Sequence, residues 1–191
     1  MAKENVASFL EFLTLISIIF ILFLVILFLL KFVFKKDTNL YKWMVHFLQD
    51  HYLFLGFLIT LIAVSGSLFY SEIIGFVPCK LCWYQRIFMY PQVILFLIAF
   101  KSKRNMGIIW NSLILSLFGG AIAGYHYMMQ MGLVSDIGCD VVGFSAKCSE
   151  FFSLAYGFIT IPMMSLTAFV LLLIINYGKL RACEERNIYN R

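Results

Sequence analysis

Apolar residues fall in long runs separated by short polar segments. The runs cover 8–30, 53–74, 87–100, 107–131 and 155–177. A helix needs about 20 mainly apolar residues to cross a hydrocarbon core of about 30 Å. Four runs meet that length. The third, 87–100, reaches it if its helix begins near Cys82. The pattern therefore predicts an all-α membrane protein with five spans. Between the first two, Asp37 to His51 interleaves Leu40, Tyr41, Trp43, Met44, Phe47 and Leu48 with polar residues. That reads as an amphipathic helix lying in the interface, with a plain linker as the alternative. Pro162 is placed to kink the last span. Gly119, Gly120 and Gly124 in the fourth allow a close helix approach or leave room for a ring.

Composition strengthens the membrane reading. The chain has 191 residues, is 62% hydrophobic and 13% charged, and its mean hydropathy is +0.91. A soluble domain of that size could not bury so much apolar surface. The net charge of +5 reports topology in such a chain and implies no nucleic-acid partner. No repeat, low-complexity tract or phosphate-binding glycine loop is present. The first run reads as a retained span. It is long for a signal peptide, lacks a small-x-small site, and its cations follow it.

Charge then orients the spans. Eleven of the 15 Lys and Arg residues fall after the first span, between the third and fourth, and in the tail. Five spans put those three segments on one face, which is the cytoplasmic one by the positive-inside rule. Lys3, Lys80, Arg86 and Lys147 remain on the other. The N-terminus is thus expected outside and the C-terminus inside. Cys79, Cys82, Cys139 and Cys148 fall on the outer, oxidising side, and Cys183 in the cytoplasmic tail. Four outward cysteines allow three pairings. Adjacency favours Cys79 with Cys82 and Cys139 with Cys148.

The chemistry concentrates in Cys79-Lys80-Leu81-Cys82-Trp83-Tyr84-Gln85-Arg86. Pro78 supports a turn, and Cys82 then falls in the first turn of the third span. Unpaired N–H groups and the positive helix end favour a thiolate there. Arg86, one turn on along the same face, favours it further and could hydrogen-bond a carbonyl oxygen of a lipid-soluble carrier. A stapling disulfide with a snorkelling Arg86 is the bland alternative. Trp83 and Tyr84 read as interfacial belt residues, or as a wall of a planar binding site. Cys139 and Cys148 bracket a short segment with Gly143, Ser145 and Ala146. A loop closed by a disulfide suits thiol exchange, or is a clamp. A four-cysteine zinc site is disfavoured by the spacing and the oxidising face, so no metal is expected. His126, near the outer end of the fourth span, is costly inside a membrane and is a candidate to donate to a carrier oxygen or relay a proton. Glu11 and Glu72 read as charges at the outer ends of their spans.

These residues resemble the DsbB family of membrane thiol oxidases, including its shorter BdbC-type members from Gram-positive bacteria. The match rests on Cys79 to Arg86, on His126 with Met129-Gln130, on Cys139-Asp140 and Cys148-Ser149-Glu150, and on Gly157 to Pro162. The resemblance covers roughly 52–178. It implies a four-helix core at 52–178, preceded by an extra span and amphipathic linker (1–51) and followed by a cytoplasmic tail (179–191). It implies an oxidoreductase of the bacterial cytoplasmic membrane that re-oxidises a DsbA-like, thioredoxin-fold protein. A membrane quinone, ubiquinone or menaquinone, takes the electrons. By the same resemblance Cys139 and Cys148 exchange with the soluble partner, and Cys79 and Cys82 form the quinone-proximal pair. Cys82 faces the ring as thiolate, Arg86 binds a quinone oxygen and His126 assists, and Trp83 is a further candidate to wall the ring. The loop between Cys139 and Cys148 is shorter than in the proteobacterial enzymes, and the first span has no counterpart in the four-helix core. A vitamin K epoxide reductase-like enzyme and a disulfide-stapled membrane subunit are the alternatives. The Trp83 to Arg86 continuation argues against the former, and the placement of Arg86 against the latter.

Overall fold

A computed structural model describes residues 2–34, 39–101, 106–135, 146–150 and 152–189. Six helices follow one another: α1 (Ala2–Phe34), α2 (Asn39–Asp50), α3 (Tyr52–Leu68), α4 (Lys80–Ala99), α5 (Met106–Gln130) and α6 (Ile161–Tyr189). All but α2 are long and apolar enough to cross a membrane, so five spans are present among the described residues. α4 begins at Lys80, which gives the third span its full length. α2 forms where the alternation of apolar and polar residues predicts it. It buries none of its residues and exposes Leu40, Trp43 and Phe47.

The last span differs from expectation. The apolar character of residues 155–160 predicts that they belong to it. They form a tight turn instead, with an isolated bridge between Ala155 and Ile159. Tyr156 and Gly157 take φ values of +51° and +78°, which no helix accommodates. Pro162 then sits in the first turn of α6, where its missing N–H would be unpaired anyway. It starts the helix and does not kink it.

The bundle closes on small residues. A side chain added at Gly119 of α5 would collide with the Phe169 ring of α6, and one at Gly56 of α3 with the Phe96 ring of α4. The space beside Gly119 thus belongs to a ring of the protein itself. Phe96 and Phe169 are fully buried and centre the core with Met89, Ala123 and Leu172. A polar network crosses the same core: Ser112 and Ser116 hydroxyls donate to Gln92 Oε1 at 2.6 and 3.1 Å, and Asn176 Nδ2 donates to Ser112 Oγ at 2.9 Å. Such bonds join helices where no water competes. At one end, Lys179 Nζ donates to the Gln49 carbonyl at 3.0 Å and sits over the Tyr52 ring. The other end carries Cys79, Cys82 and Cys148.

α3 does not stop cleanly at that end. It continues as a π-helical segment, Phe69–Ile74, closed by Gly75 at φ +95°. The wider turn carries Tyr70 into the interior, where it is 5% exposed. π segments inside helices frequently mark functional sites.

Candidate functional site

Cys79 is the N-cap of α4. Its backbone is extended and its sulfur accepts the Cys82 N–H at 3.2 Å. The two sulfurs are hydrogen-bonded to each other, 2.9 Å apart. His126 of α5 completes the cluster, with Nε2 lying 3.7 Å from the Cys79 sulfur and 3.0 Å from the Cys148 carbonyl oxygen. Gln85 Nε2 stands 3.0 Å from His126 Nδ1. An amide N–H donating there leaves the imidazole proton on Nε2, aimed at the sulfur and the carbonyl. Cys79, Cys148 and His126 are all nearly fully buried.

The surroundings favour a thiolate at Cys79. The hydrogen bond from the Cys82 thiol is the largest influence, and His126 adds to it. Together they overcome the opposing effect of burial and hold the Cys79 thiol down at about 5. Sequence reasoning had placed the thiolate on Cys82, one turn before Arg86. The Cys79 sulfur instead accepts the Cys82 backbone N–H at the N-cap and is hydrogen-bonded to the Cys82 thiol. Ligand atoms of Cys79, Cys82 and His126 also lie within 4.8 Å of one another. The hydrogen bonds among them account for that closeness.

Two cavities meet at this cluster. The smaller, about 20 Å³, lies between Cys79, Cys82, His126 and Cys148. The larger, about 320 Å³, is an apolar chamber between α1, α3, α4 and α6. Cys82 lines both, Cys79 only the smaller. Arg86 lines the larger, its Nε and Nη2 donating to Ser67 Oγ and the Ser67 carbonyl at 2.9 and 3.0 Å. Tyr70 lines it as well, and its buried hydroxyl has no hydrogen-bond partner among the described residues. A buried orphan hydroxyl is costly unless something answers it. The chamber is of a size to take a small aromatic ring.

Cys79, Cys82, Arg86 and His126 are thus brought to one end of the bundle, as the sequence suggested. Cys148 joins them: it is disulfide-bonded, is 1% exposed and packs in one cluster with Cys79 and Met129. Cys139, with Gly138, Asp140, Gly143 and Ser145 of its loop, lies outside the described residues. Trp83 is half exposed and stands outside the chamber, touching the site through the Arg86 guanidinium 5.1 Å from its ring. His126 faces the smaller cavity, away from Arg86. Sequence reading gave no role to Gln85, Ser67, Tyr70 or Phe152. Of these only Gln85 carried a signal, its place inside the cysteine motif. The others are ordinary residues of apolar runs until the helices are packed.

Comparison with known proteins shows the family. The family model described as "Disulfide bond formation protein DsbB" matches residues 49–177. A "Probable disulfide formation protein" of Oceanobacillus iheyensis is 37% identical over 121 residues, 63% of this chain and 82% of the relative. The "SPbeta prophage-derived disulfide bond formation protein B" of Bacillus subtilis is 37% identical over 150 residues, 75% of this chain and 97% of the relative. "Disulfide bond formation protein C" of the same organism is 37% identical over 131 residues, 64% of this chain and 88% of the relative. No solved structure matches. With two-thirds of its length matched and its paired thiols gathered at one end of a membrane bundle, this chain belongs to the DsbB family of disulfide bond formation proteins.

Proposed function

We propose that the protein is a dithiol:quinone oxidoreductase of the bacterial cytoplasmic membrane, with its cysteine end on the extracytoplasmic side. It oxidises a DsbA-like, thioredoxin-fold protein and passes the electron pair to ubiquinone or menaquinone. The supporting observation is the division of labour within one pair. Cys79 packs against Cys148, while Cys82 opens onto the apolar chamber. The charge bias of the loops supports the orientation.

The partner's dithiol reduces the Cys139–Cys148 disulfide through a mixed disulfide and leaves oxidised. A Cys148 thiolate then attacks Cys79 of the Cys79–Cys82 disulfide. The Cys148–Cys79 bond forms, and Cys82 departs as thiolate into the chamber wall. Cys139 attacks Cys148, restoring the loop disulfide and expelling Cys79. A low-pKa thiol is the better leaving group in such exchange, and the groups around Cys79 stabilise it as thiolate. The His126 N–H steadies the departing charge and holds the Cys148 carbonyl in register.

A bound quinone supplies the acceptor for two electrons and two protons. The residues fit that group: a cation, an unanswered hydroxyl and a sulfur all line one ring-sized apolar chamber. Arg86, braced on Ser67, orients an acceptor oxygen with its planar fork. Tyr70 donates its free O–H. As the electron pair leaves through Cys82, Cys79 and Cys82 rejoin as a disulfide, and the two protons are those that the Cys148 and Cys139 thiols gave up in the exchange.

The test is quinone reduction by the purified chain in detergent with a reduced thioredoxin-fold partner. The native chain is expected to turn over, and Cys82→Ser to lose turnover while still accepting the partner at its loop. Arg86→Lys keeps the charge but loses the fork, so kcat/KM for quinone should fall about 10–100-fold with the fold intact. A folded native chain that reduces neither ubiquinone nor menaquinone would refute the reading.

A further inference from the structure

The family match begins at residue 49 and leaves α1 unexplained. α1 is not idle hydrocarbon. Phe9, Phe12, Ile16 and Ile19 face outward, 46–62% exposed. Leu10, Leu13, Thr14 and Ser17 form the opposite stripe, and all four line the chamber that Cys82, Arg86 and Tyr70 also line. Thr14 is 8% exposed. Leu10 seats on Gly66 of α3, where an added Cβ would come within 3.4 Å of it. Polar ties fix the register. Lys3 Nζ donates to the Ile73 carbonyl at 2.6 Å, and Ser153 Oγ donates to Glu11 Oε1 at 2.8 Å. The second tie reaches the segment that follows Cys148.

The polar atoms of the two walls are complementary. Thr14 Oγ1 donates to the Leu10 carbonyl at 2.8 Å and Ser17 Oγ to the Leu13 carbonyl at 2.9 Å. Each hydroxyl has committed its proton to its own helix and retains lone pairs as acceptor. Tyr70, which also lines the chamber, has a proton to give. A quinone offers carbonyl oxygens that accept. The quinol formed from it offers hydroxyls that donate. The Tyr70 hydroxyl suits the first, and the Thr14 and Ser17 oxygens suit the second.

Resting on the function proposed above, we propose that α1 is the fourth wall of the acceptor chamber. Leu10, Leu13, Thr14 and Ser17 act as specificity residues for the quinone ring and help to bind the quinol. This is a role for a helix that the four-helix core lacks.

The full chain in detergent tests it with an azido-ubiquinone photoprobe, read by the peptides labelled, beside steady-state kinetics. Label is expected on α1 as well as α4, and excess ubiquinone should compete it away. Thr14→Phe, which fills the chamber, should weaken labelling and raise KM for quinone about tenfold with kcat changed less than about twofold. Ser17→Leu should act in the same direction and serves if Thr14→Phe unfolds. Phe12→Trp, on the lipid face, should behave as the native chain. Reduction of the loop disulfide by the partner should be unchanged in all three. Label confined to α3, α4 and α6, or label that excess quinone does not displace, would overturn the role of α1. So would a native KM in both chamber variants, and in that case native turnover still stands. A native chain without quinone turnover would instead overturn the function itself and this inference with it.

Discussion

At Cys79 three groups converge on one sulfur: the Cys82 thiol, the Cys82 backbone N–H and the His126 ring. Because they lower its folded-state pKa to about 5, against about 8.5 for an unfolded thiol, this sulfur contributes stability to the reduced protein above the unfolded value. That gain is lost as pH falls from there through about 5. Alkylation of Cys79 in the reduced chain should follow the same thiolate. His126→Ala is expected to shift the midpoint of alkylation rate against pH upward by about one unit, since a donor to the charged form is removed. An unmoved midpoint would mean that the ring only fills space. The motif from Cys79 to Arg86 was legible at this scale, and so was His126. Which sulfur meets which cavity was not, because that depends on the rotation of α4 against α5 and the Cys148 segment.

Among elements, α5 and α6 meet through Gly119 and Phe169. Gly119→Ala should destabilise by about 1–3 kcal/mol, the usual cost of overpacking a filled core. Phe169→Leu should be less harmful in that background than alone, and thermal unfolding of the four combinations in detergent measures the coupling. The apolar runs made the spans readable, and the late start of the last one shows where that signal fails. Ala155 to Thr160 is as apolar as a helix, yet Gly157 and Pro162 punctuate it, and backbone geometry overrides hydropathy there. The π turn that turns Tyr70 inward has no signal in the apolar pattern at all. It is a local register shift within an unbroken apolar run.

For the molecule as a whole, loop charge predicts a cytoplasmic face at the α2 end and an outer face at the cysteine end. After mild reduction of intact cells, a membrane-impermeant maleimide should label the cysteines of the 79–148 region and spare Cys183. Labelling of Cys183 alone would reverse the orientation. Five spans and an amphipathic segment were readable from one sequence, because transfer from water into hydrocarbon dominates each of them. The placing of α1 against the core was not. Its inward stripe differs from its lipid face by little more than Thr14 and Ser17, a contrast too weak to point anywhere until a chamber stands beside it.

The two cavities share Cys82, Phe152 and Ile161 as a partition. A membrane that stores energy as an ion gradient is damaged by any pore, and most routes between water and lipid for a reaction would make one. Here charge can cross by the remaking of sulfur–sulfur bonds inside a packed wall. Under the proposed reaction, electrons reach the lipid phase without a hydrated path for ions, so the cell can keep oxidising its exported proteins while its membrane stays charged.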